Sequence, residues 1–224
     1  MADYTFVPRW MNPPEGSYFL FGPRGTGKST WLLHHYPKAV RIDLLLGDEE
    51  RRFSGHPERI REAAHAMQPG STLIIDEIQR VPRLLPEIHA LMEEKRQIQF
   101  IMTGSSARKL RRAVSDLLGG RALLRQMGPF YASELGDSFV LEKALRIGLI
   151  PLIWESTNPL ERLRNYLNLY LKEEVHAEAL FANLGIFPAF WRWRAFLMDQ
   201  YGLRRPSAVK PESSAPQWIT ISRF

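Results

Sequence analysis

The chain has 224 residues, enough for one α/β domain of ordinary size and about sixty or seventy residues of appendage. With no cysteine it can build neither a disulfide framework, nor a thiolate zinc site, nor a cysteine nucleophile, which argues against redox chemistry and secretion. The formal net charge is +6, and residues 1–100 hold 13 basic and 13 acidic side chains, so the whole excess lies beyond residue 100. Met1 to Arg9 contains no basic stretch leading into an apolar one, and nowhere do eighteen uninterrupted apolar residues occur. The expectation is a soluble, cytoplasmic protein without membrane association.

The first element is Tyr18 to Phe21, a short aromatic run of the kind that forms a buried parallel strand. It leads into Gly22-Pro23-Arg24-Gly25-Thr26-Gly27-Lys28-Ser29-Thr30, which matches G-x-x-x-x-G-K-[ST] in full. A helix follows from Gly27 to Tyr36 and stops before Pro37. Strand before and helix after are the context that makes this motif a phosphate cradle. Backbone N–H groups from Arg24 to Ser29 would turn inward around the phosphates, Gly22, Gly25 and Gly27 removing the side chains that block the approach. Lys28 would reach the β and γ phosphates, and the Ser29 hydroxyl would ligate Mg²⁺. The chain reads as a binder of nucleoside triphosphate.

Ala39 to Leu45 is the second strand, and Pro57 to Met67 a polar helix with Ile60, Ala63, Ala64 and Met67 on one face. Pro69-Gly70 ends it, and Ser71 to Ile75 is the third strand, closing on Asp76 and Glu77. In P-loop proteins a strand beside the first delivers such an acid next to the lysine and serine of the cradle. Asp76 would hold Mg²⁺ or its water shell. Glu77 could orient and deprotonate a water for attack on the γ-phosphate. Kinases that pass phosphate to a small acceptor generally lack such a glutamate, so the pair favours hydrolysis.

Arg83 to Lys95 forms a further helix, with Leu84, Ile88 and Leu91 in helical spacing, and Ile98 to Met102 the fourth strand. That strand is expected between those bearing the cradle and the acidic pair. Its tip would offer Thr103 or Ser105 as a hydroxyl sensing the attacking water; Ser105 or Ser106 would serve equally as N-cap of the next helix. That helix, Ala107 to Leu118, is basic. Residues 101–130 carry Arg108, Lys109, Arg111, Arg112, Arg121 and Arg125 against Asp116 alone. Such a density fits DNA, the triphosphate of a neighbouring subunit, or a solvated helix surface, and the sequence leaves all three open.

Arg121, after Gly119-Gly120, could reach a neighbour's γ-phosphate as a trans arginine finger in a homo-oligomer; Arg111 and Arg112 are its rivals, and a plain surface arginine is the alternative. Ala122 to Met127 is the fifth strand. The whole is an α/β P-loop NTPase fold, a parallel sheet with crossover helices, over residues 1–128. A helical appendage follows over 129–203, with helices at Tyr131 to Leu135, Phe139 to Ile147 and Pro159 to Leu180. Residues 204–224 form a polar, proline-punctuated tail, expected to be poorly ordered. The histidines assemble no metal site, His34 and His35 diverging on their helix. Trp191 and Trp193 beside Arg192 and Arg194 suit packing better than nucleic acid.

GPRGTGKST, LIIDEIQRVP, FIMTGSSARKL and LLGGRAL followed by GPFYASEL together resemble the AAA+-type ATPases of bacteria and archaea that carry a C-terminal domain of unknown function. The resemblance spans about residues 5 to 190. It implies ATP and Mg²⁺ as cofactors, phosphate binding from Gly22 to Thr30, Mg²⁺ at Ser29 and Asp76, catalysis at Glu77, sensing around Thr103 to Ser105, and an arginine role for Arg121. Members of that family continue through further domains, so a truncated or frame-shifted member is expected. The activity expected is Mg²⁺-dependent ATP hydrolysis. The alternatives are a nucleotide-dependent switch or scaffold without efficient turnover, and a DNA-binding ATPase.

Overall fold

Short, largely apolar runs recur between helical segments, the pattern expected of a parallel sheet with helices on its faces. In a computed structural model of the protein, which describes residues 6–94, 96–105 and 121–171, they form that sheet. Its strands are β1 (Tyr18–Phe21), β2 (Val40–Asp43), β3 (Thr72–Asp76), β4 (Gln99–Gly104) and β5 (Leu123–Gln126). Their order is β2-β3-β4-β1-β5, with every pairing parallel. The fourth strand therefore separates the strand carrying the phosphate loop from the strand carrying the acidic pair. The acid is delivered one strand away from β1 and not directly beside it.

Strand side chains alternate between faces, so the inner strands β1, β3 and β4 feed two cores, whereas β2 buries only Ile42 and β5 is exposed at all four positions. On one face Phe19, Phe21, Leu73, Ile75, Phe100 and Met102 pack with residues of three helices. Those are α2 (Gly47–Gly55) through Phe53, α3 (Arg59–His65) through Ile60 and Ala64, and α4 (Leu84–Glu93) through Leu84, Leu85, Ile88 and Leu91. On the other face Tyr18, Leu20, Ile74 and Ile101 meet Trp31 and Leu32 of α1 (Lys28–His35). Each fully buried large side chain contributes about 1.5–3 kcal/mol.

Helix α2 departs from the sequence reading, which places no element between Leu45 and Pro57. It has one buried residue, Phe53, among charged residues, a serine and two glycines, so it lacks the apolar repeat that announces a helix. Asp48, Glu49 and Glu50 in its first turn suit the helix dipole.

After β5 the chain turns helical, with α5 (Ala132–Leu135), α6 (Leu141–Ile147), α7 (Pro151–Trp154) and α8 (Pro159–Asn165), then a π-helical turn, Tyr166–Leu171. The first two match expectation to within a few residues, and the last begins where expected, at Pro159, but turns π-helical from Tyr166; the short α7, opened by Pro151, is not read from the sequence. Phe130, Leu135, Ile147, Ile153, Trp154 and Tyr166 form a core of their own. The basic helix of 107–118, the continuation of the last helix to Leu180, the tryptophan pair and the tail lie outside the described residues. No helix among the described residues is long and apolar enough to cross a membrane.

Candidate nucleotide-binding site

The phosphate loop leaves the sheet where β1 is held on both sides. The Gly22 N–H donates to the Gly104 carbonyl of β4 at 3.2 Å, and the Met127 N–H, past β5, donates to the Phe21 carbonyl at 2.7 Å. Gly22 is required by this close approach: a Cβ there would lie 2.0 Å from the Met127 carbonyl oxygen, which is backbone and cannot yield. Replacing Gly22 with alanine is expected to cost about 2 kcal/mol or more and to lower the melting midpoint by roughly 5 °C or more. A thermal melt checks this, and an unshifted midpoint would show that β5 is not pinned here.

Gly25 and Gly27 adopt left-handed φ values of 77° and 86°, a region favouring glycine, and α1 begins one residue later. Lys28 is only 6% exposed. Its ammonium donates to the Gly22 carbonyl at 2.6 Å and the Pro23 carbonyl at 3.2 Å, which holds the cation inside the curl of the loop. The Thr26 hydroxyl donates to the Pro23 carbonyl at 2.8 Å and braces the turn. Ser29 and Thr30, in the first turn of α1, are exposed.

The Ser29 hydroxyl donates to Asp76 Oδ2 at 2.9 Å. Two oxygens predicted to share a cation, 47 residues apart in sequence, are thus neighbours in space. A hydroxyl and a carboxylate are hard oxygen donors, and Mg²⁺ is held by few protein oxygens, completing its shell with phosphate and water. The pair fits that ion. Asp76 Oδ1 accepts from the Thr103 hydroxyl, which in turn accepts from the Glu77 N–H at 3.1 Å. Thr103 therefore spends its one donor on Asp76 and locks the acid in place. Arg41, in β2, lies 3.5 Å from Asp76 Oδ2, and its buried Nη1 has no hydrogen-bond partner.

Glu77, just past β3, is buried and sits in the left-handed region at φ 59°. For a side chain of this size that costs about 1 kcal/mol. The bond from its N–H to Thr103 offsets part of the strain, and the backward turn separates its carboxylate from that of Asp76. Its Oε2 accepts from the Gln79 amide. The same amide group lies 3.5 Å from Ser105 Oγ, and Gln79 Oε1 is buried without a partner. Glu77, Gln79 and Ser105 form one polar cluster at the tips of β3 and β4.

Arg121 stands elsewhere. It pairs with Glu93 at the end of α4, two residues before β5 begins. In a parallel sheet that is the end opposite the phosphate loop, so within one chain Arg121 takes no part in the site. Arg111 and Arg112 lie outside the described residues.

Beside the loop is a cavity of about 190 Å³, lined among others by Phe6, Arg9, Trp31, Phe130, Leu152 and Glu155. Burial raises the pKa of Glu155 above the ordinary carboxylate value. The Trp31 indole N–H is buried with no partner. Arg9, Arg41, Gln79 and Glu155 escaped the sequence reading. None belongs to a spaced pattern, and only the tertiary fold brings them here.

A family model described as "AAA domain" matches residues 15–136, from the lead into β1 through the first helix after β5. Among solved structures, the Orc1 protein of Aeropyrum pernix in complex with DNA is similar at 16% identity and a TM-score of 0.38, over 70% of this chain. This chain matches 55% of that protein's length, about half. The family match covers more than half of the chain and includes the phosphate loop, the acidic pair of β3 and the tip of β4, and the sheet order joins them in one P-loop site. The chain accordingly belongs to the AAA domain family of P-loop, nucleotide-binding ATPases.

Proposed function

We propose that the protein binds ATP together with Mg²⁺ and hydrolyses it to ADP and phosphate. The observation that carries this reading is the 2.9 Å contact between Ser29 of the phosphate loop and Asp76 of β3, with Glu77 next along the chain. Gly22, Pro23, Arg24, Gly25, Thr26 and Gly27 supply the loop, and Lys28, Ser29 and Thr30 open the helix whose N-terminus faces the phosphates. The aromatic cavity beside Gly25 to Gly27 is the seat for the base. Mg²⁺, held by Ser29 and Asp76, would neutralise charge on the β- and γ-phosphates.

The chain's own residues do the rest. Lys28, already confined in the loop, moves its donors from the Gly22 and Pro23 carbonyls to phosphate oxygens. A water on the far side of the γ-phosphorus gives its proton to the Glu77 carboxylate as its oxygen bonds to phosphorus, and the bond to the β-phosphate oxygen breaks. Gln79 and Ser105 flank that water, the unpartnered Gln79 Oε1 offering it a second acceptor. Thr103 holds Asp76 and Glu77 in register. A homo-oligomer would let Arg121 or another arginine act on a neighbour's nucleotide, and DNA is the partner suggested by the basic stretch 101–130.

Phosphate release from ATP by the purified chain tests the reading, run with Mg²⁺, with chelator, and with added DNA. Steady turnover that requires Mg²⁺ is expected. Binding without turnover in any of the three would reduce the protein to a nucleotide switch.

A further inference from the structure

Arg9 lies in the segment leading to β1, and its guanidinium is enclosed: the side chain is 6% exposed and that of its partner Glu134, in α5, 2%. Every nitrogen is engaged. Nε donates to Glu134 Oε2 at 3.1 Å, Nη1 to the Thr26 carbonyl at 2.7 Å, and Nη2 to the Gly128 and Pro129 carbonyls at 2.8 and 3.0 Å. The Phe130 ring lies 5.0 Å from the guanidinium carbon. Glu134 also accepts from the Trp10 N–H at 2.8 Å and the Tyr131 N–H at 2.9 Å.

A buried ion pair is expensive to desolvate, and an apolar pair of similar volume often serves stability as well or better. Stability alone is therefore a weak reason for this one. Its distinctive contact is with the phosphate loop. The Thr26–Gly27 peptide is trans and planar, so a carbonyl fixed on Arg9 turns the Gly27 N–H to the opposite side. The next peptide back is treated alike: the Gly25 carbonyl accepts from the Leu152 N–H of α7 at 3.1 Å, which turns the Thr26 N–H away from that helix. A Cβ on Gly25 would lie 2.8 Å from Leu152 Cβ, so the contact is tight. Two consecutive donors of the loop are thus oriented by groups outside it.

We propose that Arg9, held by Glu134, is a positioning residue for the phosphate cradle: it fixes the Thr26 carbonyl outward and so presets the Gly27 N–H toward a polyphosphate. The proposal rests on the nucleotide reading above and adds that segments far from the motif set the loop's donors. Gly27 bounds the peptide concerned on its C-terminal side, where the absence of a side chain leaves the plane less restricted. Its ordering, done in advance by Arg9, is then not charged against binding. Arg9 also lines the cavity beside the loop, but the effect proposed here is on the phosphates, so it must appear with a probe that has no base.

Calorimetric titration of inorganic tripolyphosphate and of ATP, each with Mg²⁺, tests this on the full chain, on Arg9→Lys and on Glu134→Gln, well below the lowest melting midpoint. Lysine keeps the charge but cannot span Glu134 and the Thr26 carbonyl together, so Arg9→Lys is expected to weaken both probes by a similar factor of about ten. Glu134→Gln, which leaves Arg9 in place but less firmly held, is expected to weaken both about threefold. A merely structural role lowers the melting midpoint and leaves these affinities unmoved, which overturns the proposal. So does a loss confined to ATP, which would place Arg9's effect at the base. If Arg9→Lys does not fold, unchanged tripolyphosphate affinity in Glu134→Gln overturns it alone. A parent chain that binds neither probe overturns the nucleotide reading itself, whereas binding by the parent with unchanged variants overturns only the positioning role.

Discussion

Replacing Lys28 with alanine is expected to abolish ATP binding at the concentrations where the parent chain saturates. The ammonium is a full positive charge that the loop encloses with two of its own carbonyls, and it is nearly out of solvent. Removing one partner of a buried, hydrogen-bonded charge contact typically costs about 2–5 kcal/mol, a loss of roughly thirtyfold to several thousandfold. Folding should survive: the Pro23 carbonyl keeps its bond from the Thr26 hydroxyl, and the sheet contacts of Gly22 do not involve the lysine. A fluorescent-ATP titration checks it. Unchanged affinity would refute the assignment of the site.

Glu77→Gln should separate binding from chemistry. The amide preserves the size of the side chain and keeps an oxygen for the Gln79 contact, and the Glu77 N–H that meets Thr103 is backbone, so the acidic tip keeps its shape. What is lost is the capacity to take the water's proton. Nucleotide should still bind while phosphate release falls by about a hundredfold or more. A variant that hydrolyses like the parent would exclude Glu77 as the base and leave Asp76 or a neighbouring subunit to supply it.

How far the sequence carries these conclusions depends on the range of the interaction concerned. The strand before the loop, the glycines, Lys28 and Ser29 are adjacent in sequence, and the chemistry of phosphate binding fixes their spacing. Asp76 and Glu77 were legible because a buried strand ending in two carboxylates is an unusual pattern, and the place of β4 follows from the same fold. Helix α2 was not, since a helix with a single buried side chain shows no repeat. Thr103 or Ser105 was expected to offer a hydroxyl to the reacting water; the Thr103 hydroxyl bonds Asp76 and the Glu77 backbone, a choice between rotamers that no spacing reveals. Arg121, read as a finger for a neighbour's nucleotide because it follows two glycines, pairs with Glu93 within its own chain, and the parallel sheet puts the start of β5 at the far end from that chain's loop. Arg9 and Glu134 are 125 residues apart, and neither carries a local signal.

The central claim is that Lys28, Ser29 and Asp76 form one Mg²⁺-dependent nucleotide site. Titrating ATP into the parent chain by calorimetry, once with Mg²⁺ and once with chelator, addresses it most directly. The account predicts saturable binding at one site per chain that weakens clearly when Mg²⁺ is withdrawn. Absence of saturable binding under both conditions, or an affinity indifferent to Mg²⁺, would contradict it.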